Sequence, residues 1–218
     1  MIDLHTHSLF SDGVLLPSEL VRRAEVKGYQ YWAITDHADV SNLDHIIPRI
    51  VFAAREINAH WTIKVIPGIE LTHVPPETIA GLVAKARKLG ALLIVVHGET
   101  IVEPVPSGTN RAAIEAGVNI LAHPGLITLD EVRRAAEKGV FLEITSRKGH
   151  SLTNGHVVRL AQKAKAGLIL NSDTHSSEDI VSLDQRASIV EGAGLNKKAL
   201  QQMDESAIRL FTRLLGKL

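Results

Sequence analysis

The feature that most constrains this chain is an alternation. Seven short apolar or β-branched runs are separated by amphipathic stretches of helical period. The strand candidates are Met1–Leu4, Tyr31–Thr35, Ile63–Leu71, Ala91–Val96, Asn119–Ala122, Val140–Ile144 and Gly167–Leu170. Helices are predicted over Pro17–Lys27, Leu43–Ala59, Pro76–Leu89, Asn110–Ala116, Leu129–Lys138 and His156–Lys165. Pro17 suits a first helical position, and Pro48 predicts a kink or a fresh start inside the second helix. Gly90, Gly117, Gly139 and Gly167 each follow a helix closely, where a left-handed cap can turn the chain into the next strand. A strand–helix–glycine–strand rhythm builds parallel strands with right-handed crossovers.

From Ser177 onward the pattern is mostly helical, with candidates at Leu183–Glu191, Lys197–Gln202 and Ser206–Leu215. No composition break or low-complexity linker precedes them, so they read as helices capping one domain that spans 1–218, the barrel proper occupying about 1–176. A chain of 218 residues with 45% hydrophobic content can bury a core without staples. Cysteine is absent, which excludes disulfides, thiolate zinc sites and cysteine nucleophiles, so any metal must sit on His, Asp and Glu. The 24 basic and 24 acidic residues cancel without forming a basic strip, which disfavours an extended nucleic-acid surface. With 4% aromatic residues, a series of base-stacking platforms is not expected. No apolar run approaches the roughly 18 residues of a membrane span, and the start resembles no leader, so a soluble cytoplasmic protein is expected.

Strands buried on both faces should be apolar throughout, so polar residues at their ends need a reason. Here almost every run ends in a residue that can ligate a metal. The first ends in His5 and His7, whose spacing directs both imidazoles to one side, and Asp12 follows in the loop. The later ends supply Asp36 and His37, Glu70, His97 and Glu99, His123, Glu143, and finally Asp173 and His175. In a closed parallel barrel all of these converge on one mouth, and the first and last strands become neighbours. Gly68, two residues before Glu70, is read as leaving room there. Nine donors (His5, His7, Asp12, His37, Glu70, His97, His123, Asp173 and His175) exceed the three or four protein ligands of one catalytic zinc, which implies two or three ions.

These residues resemble the PHP family, named for polymerase and histidinol phosphatase domains. The matching motifs are HTH at His5–His7 with SDG at Ser11–Gly13, TDH at Thr35–His37, GIE at Gly68–Glu70, VHGE at Val96–Glu99, AHPG at Ala122–Gly125 and SDTH at Ser172–His175. The resemblance spans nearly the whole chain. It implies an α/β fold, a distorted seven-stranded (β/α)7 barrel similar to a TIM barrel, binding up to three divalent ions, usually zinc, manganese or iron. It also implies phosphoester hydrolysis. Carried over position by position, it places His5, His7, Glu70 and Asp173 around one ion and Glu70, His97 and His123 around a second. Asp12, His37 and His175 would hold the third.

The chemistry expected of such a centre is in-line attack of a metal-bound hydroxide on a phosphate ester, with no side-chain nucleophile. The loop Ser146–His150 offers rim donors to phosphate: Arg147 as the preferred clamp, with Lys148 and His150 beside it. Arg111 is a weaker second choice, better read as a surface charge. Glu99 and Glu143 could protonate a leaving group or orient ligands, the second role being favoured, and Asp36 and Asp3 are read as orienting groups. His45, His60, His73 and His156 are read as solvent-exposed, with His45 and His73 nearest the mouth. A small phosphomonoester, a nucleotide and a short oligonucleotide all suit the chain as substrates. Two other classes stay open: hydrolysis of C–N or C–O bonds in the manner of amidohydrolases, and a metal-binding partner domain without catalysis.

Overall fold

The computed structural model describes all 218 residues. Each apolar run forms a parallel strand: β1 (Ile2–Asp3), β2 (Tyr31–Ile34), β4 (Lys64–Leu71), β5 (Leu93–His97), β6 (Ile120–Ala122), β7 (Phe141–Thr145) and β8 (Leu168–Asn171). They pair in the order β1-β2-β4-β5-β6-β7-β8, forming a nearly closed seven-stranded barrel of the TIM type. One addition is β3 (His37–Ala38), a two-residue strand that resumes beyond Thr35 and pairs with β4, setting His37 opposite Glu70.

The seam between β1 and β8 carries only one bridge, Thr6 to Thr174, where the His7 amide donates to the Thr174 carbonyl at 2.8 Å. Side chains do the rest of the closing. Asn171 Oδ1 accepts from the Leu4 amide at 3.0 Å, and Asp3 Oδ2 accepts from the Ser172 amide at 3.0 Å. The buried backbone donors that a shortened ladder leaves over are thereby satisfied.

Eight helices surround the barrel: α1 (Pro17–Val26), α2 (Leu43–His60), α3 (Ile79–Leu89), α4 (Thr109–Glu115), α5 (Leu129–Lys138), α6 (Asn154–Ala164), α7 (Leu183–Gly192) and α8 (Lys197–Leu215). Pro48 neither ends nor restarts α2, which runs through it from Leu43 to His60. That helix buries Leu43, Ile46, Ile47, Ile50, Ala54 and Ile57, and packing of this continuous apolar stripe outweighs one missing hydrogen bond. The two helices expected after residue 196 are one. Met203 is buried and Asp204 pairs with Arg186 of α7, so the polar interval Met203–Glu205 is held helical by tertiary contacts.

Two glycine expectations are overturned. The left-handed residue closing α6 is Lys165, with φ 57°, while Gly167 lies where a Cβ would come within 2.8 Å of the Phe141 ring. Gly68 does not open the site: a Cβ there would meet Thr35 Cγ2 at 2.7 Å and the Leu93 carbonyl oxygen at 3.0 Å, so it serves close packing between strands.

The core has two parts. A large cluster lies between the strands and the outer helices, and a smaller one fills the barrel itself with Ile2, Leu4, Ala33, Ile66, Leu93, Val95, Ile120 and Ile169. Helix α8 lays Ala207, Leu210, Phe211 and Leu214 against this second cluster and so plugs the upstream end. No helix is long and apolar enough to cross a membrane.

Candidate metal centre

The pleat of the chain leaving β1 sends His5 and His7 inward, both fully buried. His5 Nε2 lies 3.2 Å from Glu70 Oε1, and His7 Nε2 lies 3.1 Å from Asp173 Oδ1. Glu70, near the end of β4, stands between them and three further residues. Its Oε2 is 2.5 Å from His37 Nδ1 and accepts from Thr72 Oγ1 at 3.1 Å, while its Oε1 is 4.0 Å from His123 Nε2. Across the seam, His175 stacks on His7 with ring centroids 4.2 Å apart. His37 Nε2 and His175 Nε2 both face Asp12 Oδ1, at 3.3 and 3.2 Å. His97, ending β5, meets the edge of His123, which follows β6, at a centroid distance of 4.4 Å.

The structure thus brings all nine candidate donors to one mouth. It groups them differently from the family pattern: no nitrogen of His97 lies within 4.0 Å of a Glu70 oxygen, Asp173 falls with His5 and His123, and His7 joins Asp12, His37 and His175. Donor atoms close enough to share an ion are found in His7, Asp12, His37 and His175; in His5, His7 and Glu70; in His5, His123 and Asp173; in His97, His123 and His150; and in His73, His97 and Glu103.

Several imidazoles are aimed by what their other nitrogen does. His5 Nδ1 donates to Glu143 Oε2 at 2.8 Å, an oxygen that also accepts from Asn171 Nδ2 at 2.8 Å. His175 Nδ1 donates to the Asp173 carbonyl at 2.9 Å and His97 Nδ1 to the Gly98 carbonyl at 3.1 Å. Carboxylates and carbonyls accept only, so in each neutral ring the lone pair is on Nε2, pointing into the mouth.

The inward-facing atoms have no hydrogen-bond partners. His5 Nε2, both nitrogens of His7, Glu70 Oε1, His123 Nδ1 and Asp173 Oδ1 are buried and unpaired. Each such group costs about 1–3 kcal/mol when left so. Nitrogen lone pairs and carboxylate oxygens converging in this way fit divalent cations, whose ligands they would become. Backbone strain falls at the same place: His123 (φ 25°) and Asp173 (φ 57°) occupy the left-handed region that side-chain-bearing residues avoid.

The electrostatics favour the ligating protonation state at His7, His123 and Glu70 and oppose it, in the absence of a cation, at His5 and Asp173. Burial, followed by the neighbouring His37, holds His7 well below the usual imidazole range; burial and His97 do the same to His123. Both are kept neutral, the ligating form. For His5, burial opposes the charge, but Glu143, Glu70 and Asp173 outweigh it and hold the ring well above its ordinary value. Burial pushes the Asp173 carboxyl up to about 7 against the pull of His5, with Glu70 reinforcing the rise. Burial disfavours the Glu70 carboxylate also, but His5 and His37 hold it well below its usual value.

The other candidates are placed as follows. Glu143 and Asp3 brace the site from behind, and Asp36 ties the first loop by accepting from the Ser8 amide, Ser8 Oγ and Ser11 Oγ. Glu99 is a correction to any acid role: its Oε1 accepts from the Gly108 and Asn110 amides at 3.0 and 2.9 Å, anchoring the start of α4, and it does not line the cavity. Arg147 does line it, its Nε 3.9 Å from Asp173 Oδ2 and its Nη1 3.5 Å from Asp179 Oδ2. Lys148 is exposed and faces an adjoining pocket instead. Arg111 sits at the surface near Asp130. His45 and His60 are exposed, whereas His156 is half-buried and bonded to the Ile127 carbonyl.

Glu103 is the residue that reading the sequence missed. It lies in an irregular Pro-containing loop after β5, and its carboxylate reaches His73 Nε2 at 3.0 Å, His97 Nε2 at 3.0 Å and His150 Nε2 at 3.3 Å. The hydrogen bond with His97 is foremost in pulling Glu103 down to about 2. His73 is exposed, as expected, and is also engaged there, and His150 stacks on His123 at 4.2 Å. Periodicity could not find Glu103; only its place in a loop after a strand end, hence at the mouth, pointed to it.

The cavity so formed has a volume of about 260 Å³ and no apolar side chain in its lining. Its fold and donor set define a metal-binding β/α barrel. The model of the PHP domain matches residues 3–217, and the chain belongs to the PHP domain family. It is 47% identical over 201 residues to an uncharacterized protein of Methanocaldococcus jannaschii, covering 91% of this chain and 92% of that one. It is 26% identical over 240 residues to a probable phosphatase of Shewanella pealeana, covering 99% and 94%. Among solved structures, a chain in the cryo-EM structure of archaeal ribonuclease P with mature tRNA shares the fold at a TM-score of 0.74 and 17% identity, covering 98% of this chain and 91% of that one. Family and phosphatase-named relatives together support a metal-dependent phosphoesterase.

Proposed function

We propose that this protein hydrolyses a small phosphorylated substrate, using two or three divalent ions (zinc, manganese or iron) held at the barrel mouth. The observation that carries the reading is the set of buried, unpaired donor atoms on His5, His7, Glu70, His123 and Asp173, which cluster at the barrel mouth within sharing distance of common ions. His37, His175 and Asp12 would hold an ion toward solvent, and His97 with His123 one on the opposite side. Divalent ions bound there supply a nucleophile at neutral pH and offset the charge of the phosphoryl oxygens.

The protein's own groups do the positioning. Glu143 fixes the His5 ring, the Gly98 and Asp173 carbonyls fix His97 and His175, and Arg147 waits at the rim, where its fork of donors suits two phosphate oxygens. Cavity size supports a phosphate entering while the rest of the substrate stays outside. The adjoining pocket, of about 670 Å³, is lined by Ser146, Arg147, Lys148, Glu178 and Asp179 among others, with Val181 its one apolar residue. That surface suits a polar leaving group and gives an aromatic base nothing to stack on.

The test is elemental analysis of the purified protein together with rates on p-nitrophenyl phosphate, bis(p-nitrophenyl) phosphate, a lactone panel and an amide panel, before and after chelation. Metal-dependent turnover of a phosphate ester is expected. Turnover confined to lactones or amides would move the protein to amidohydrolase-type chemistry. Metal binding without any turnover would make it a partner domain.

A further inference from the structure

We propose that the cation held by His97 and His123 takes Glu103 as its carboxylate ligand and His150 as a further imidazole, two donors outside the set that the family motifs supply. The inference rests on the metal-centre reading above and concerns only the side of the mouth away from Glu70.

Three observations carry it. First, the carboxylate that the motif pattern assigns to His97 is out of reach: Glu70 has oxygens near His5, His7, His37 and His123 but none within 4.0 Å of His97. Glu103 Oε2 stands instead 3.0 Å from His97 Nε2. Second, the tautomer of His97 is fixed. Its Nδ1 must donate to the Gly98 carbonyl, so the neutral ring turns a lone pair, not a hydrogen, toward the Glu103 oxygen. Two such acceptors repel unless a proton on Nε2 or a cation lies between them, and only the cation leaves the ring in its neutral, ligating form. Two atoms each about 2.0–2.2 Å from one cation stand about 3–3.5 Å apart, which is the spacing seen.

Third, the surroundings are built rather than loose. His150 is buried, its Nδ1 lies 2.7 Å from Thr100 Oγ1, and its Nε2 faces Glu103 Oε1 at 3.3 Å. His97, His123 and His150 place one donor atom each within reach of a common ion. His73 Nε2, 3.0 Å from Glu103 Oε2, can donate to the carboxylate from the solvent side and orient it. Close contacts pin the strand ends: a Cβ on Gly98 would meet the Ala122 carbonyl oxygen at 2.3 Å, and one on Gly125 (φ 61°) would meet the Glu99 carbonyl oxygen at 1.8 Å. The loop that carries Glu103 is thereby locked to the strand ends that carry His97 and His123.

The experiment loads the full-length protein, Glu103→Gln and His150→Gln with Zn²⁺ or Co²⁺ by equilibrium dialysis. It then reads ions per chain by elemental analysis and the visible absorption of the cobalt forms, with far-UV circular dichroism to confirm folding. Each variant is expected to bind one ion fewer per chain, or to bind that ion at least about 100-fold more weakly, more than the loss of a residue that merely orients a ligand brings. The cobalt spectrum should lose one component and keep the rest. Folded variants that retain the wild-type stoichiometry, affinity and spectrum overturn this assignment and leave the metal-centre reading standing. A wild-type protein that binds no ion overturns both. Should Glu103→Gln fail to fold, Glu103→Asp serves: a shortened ligand must shift the cobalt spectrum, and an unshifted one rejects the role.

Discussion

The two ends of the barrel are made from the same strands, yet they are chemically opposite. At the upstream end, Ile2, Ile66, Leu93, Ile120 and Ile169 meet Leu210, Phe211 and Leu214 of α8, apolar against apolar. The one buried charge nearby, Arg186, is served from within the chain, donating to the Ile2 carbonyl at 3.0 Å and pairing with Asp204. At the downstream end, His5, His7, Glu70, His123 and Asp173 are buried as well, and several of their atoms have no partner. The upstream end leaves a single guanidinium nitrogen, Arg186 Nε, without a partner, whereas the downstream end leaves partnerless atoms on five clustered residues, His5, His7, Glu70, His123 and Asp173. Stability is thus built at one end and the proposed function sits at the other, at some expense of stability.

The sharpest way to break this contrast is His7→Leu, which removes a donor shared by two of the metal-capable groups. We expect phosphatase kcat/KM to fall by about 1,000-fold, or roughly 4 kcal/mol. In chelated protein the same substitution should raise unfolding free energy by about 1 kcal/mol, since two unpaired buried nitrogens are gone. Retained activity would show that the mouth is not the active centre. Loss of stability without metal would make His7 a structural residue.

The mirror-image substitution is Phe211→Ala at the plug, where the ring is fully buried. Denaturant titration should show a loss of about 3–5 kcal/mol. Ions bound per chain should stay at the wild-type value wherever the variant remains folded. A plug variant that loses ions selectively would mean that the two ends are not independent.

Smaller than either is the effect of Glu143→Gln, which leaves the His5 hydrogen bond geometrically possible but removes its charge. Metal affinity should drop about 10- to 100-fold, measured by competition with a chromophoric chelator. No change would place Glu143 with the seam residues such as Asn171 rather than with the site.

The contrast between the ends also explains what was legible in the sequence. Inward residues of a strand repeat every second position, so H-x-H and D-x-H were readable as pincers and the polar ends of apolar runs as one mouth. What could not be read depends on contacts between distant segments. Strand β3 exists because β4 offers Glu70 and Leu71 as partners, and α8 is continuous because Arg186 fastens Asp204. Glycine misled twice, at Gly68 and Gly167, because a missing Cβ there serves a neighbour's packing rather than a turn or an opening. Glu103 lies in a loop without period, and no local pattern ties it to imidazoles on three other segments.

The smallest effect expected belongs to Arg147, which touches both the cavity and the pocket beside it. Its guanidinium is held between Asp173 and Asp179 and does not take part in the donor groups that could hold an ion. If it serves as the phosphate clamp, Arg147→Ala should lower kcat/KM about tenfold, worth roughly 1.4 kcal/mol, with the number of bound ions unchanged. Arg147→Lys should recover only part of that loss, because an ammonium replaces the charge but not the two-pronged geometry. The division between KM and kcat then locates the contact. A rise in KM alone means that the arginine grips the phosphate equally before and during reaction, and a fall in kcat means that its hold tightens as charge develops on the phosphoryl oxygens. An unchanged kcat/KM for Arg147→Ala would assign the residue to bracing Asp179, whose carboxylate already accepts from the His175 and Ser176 amides.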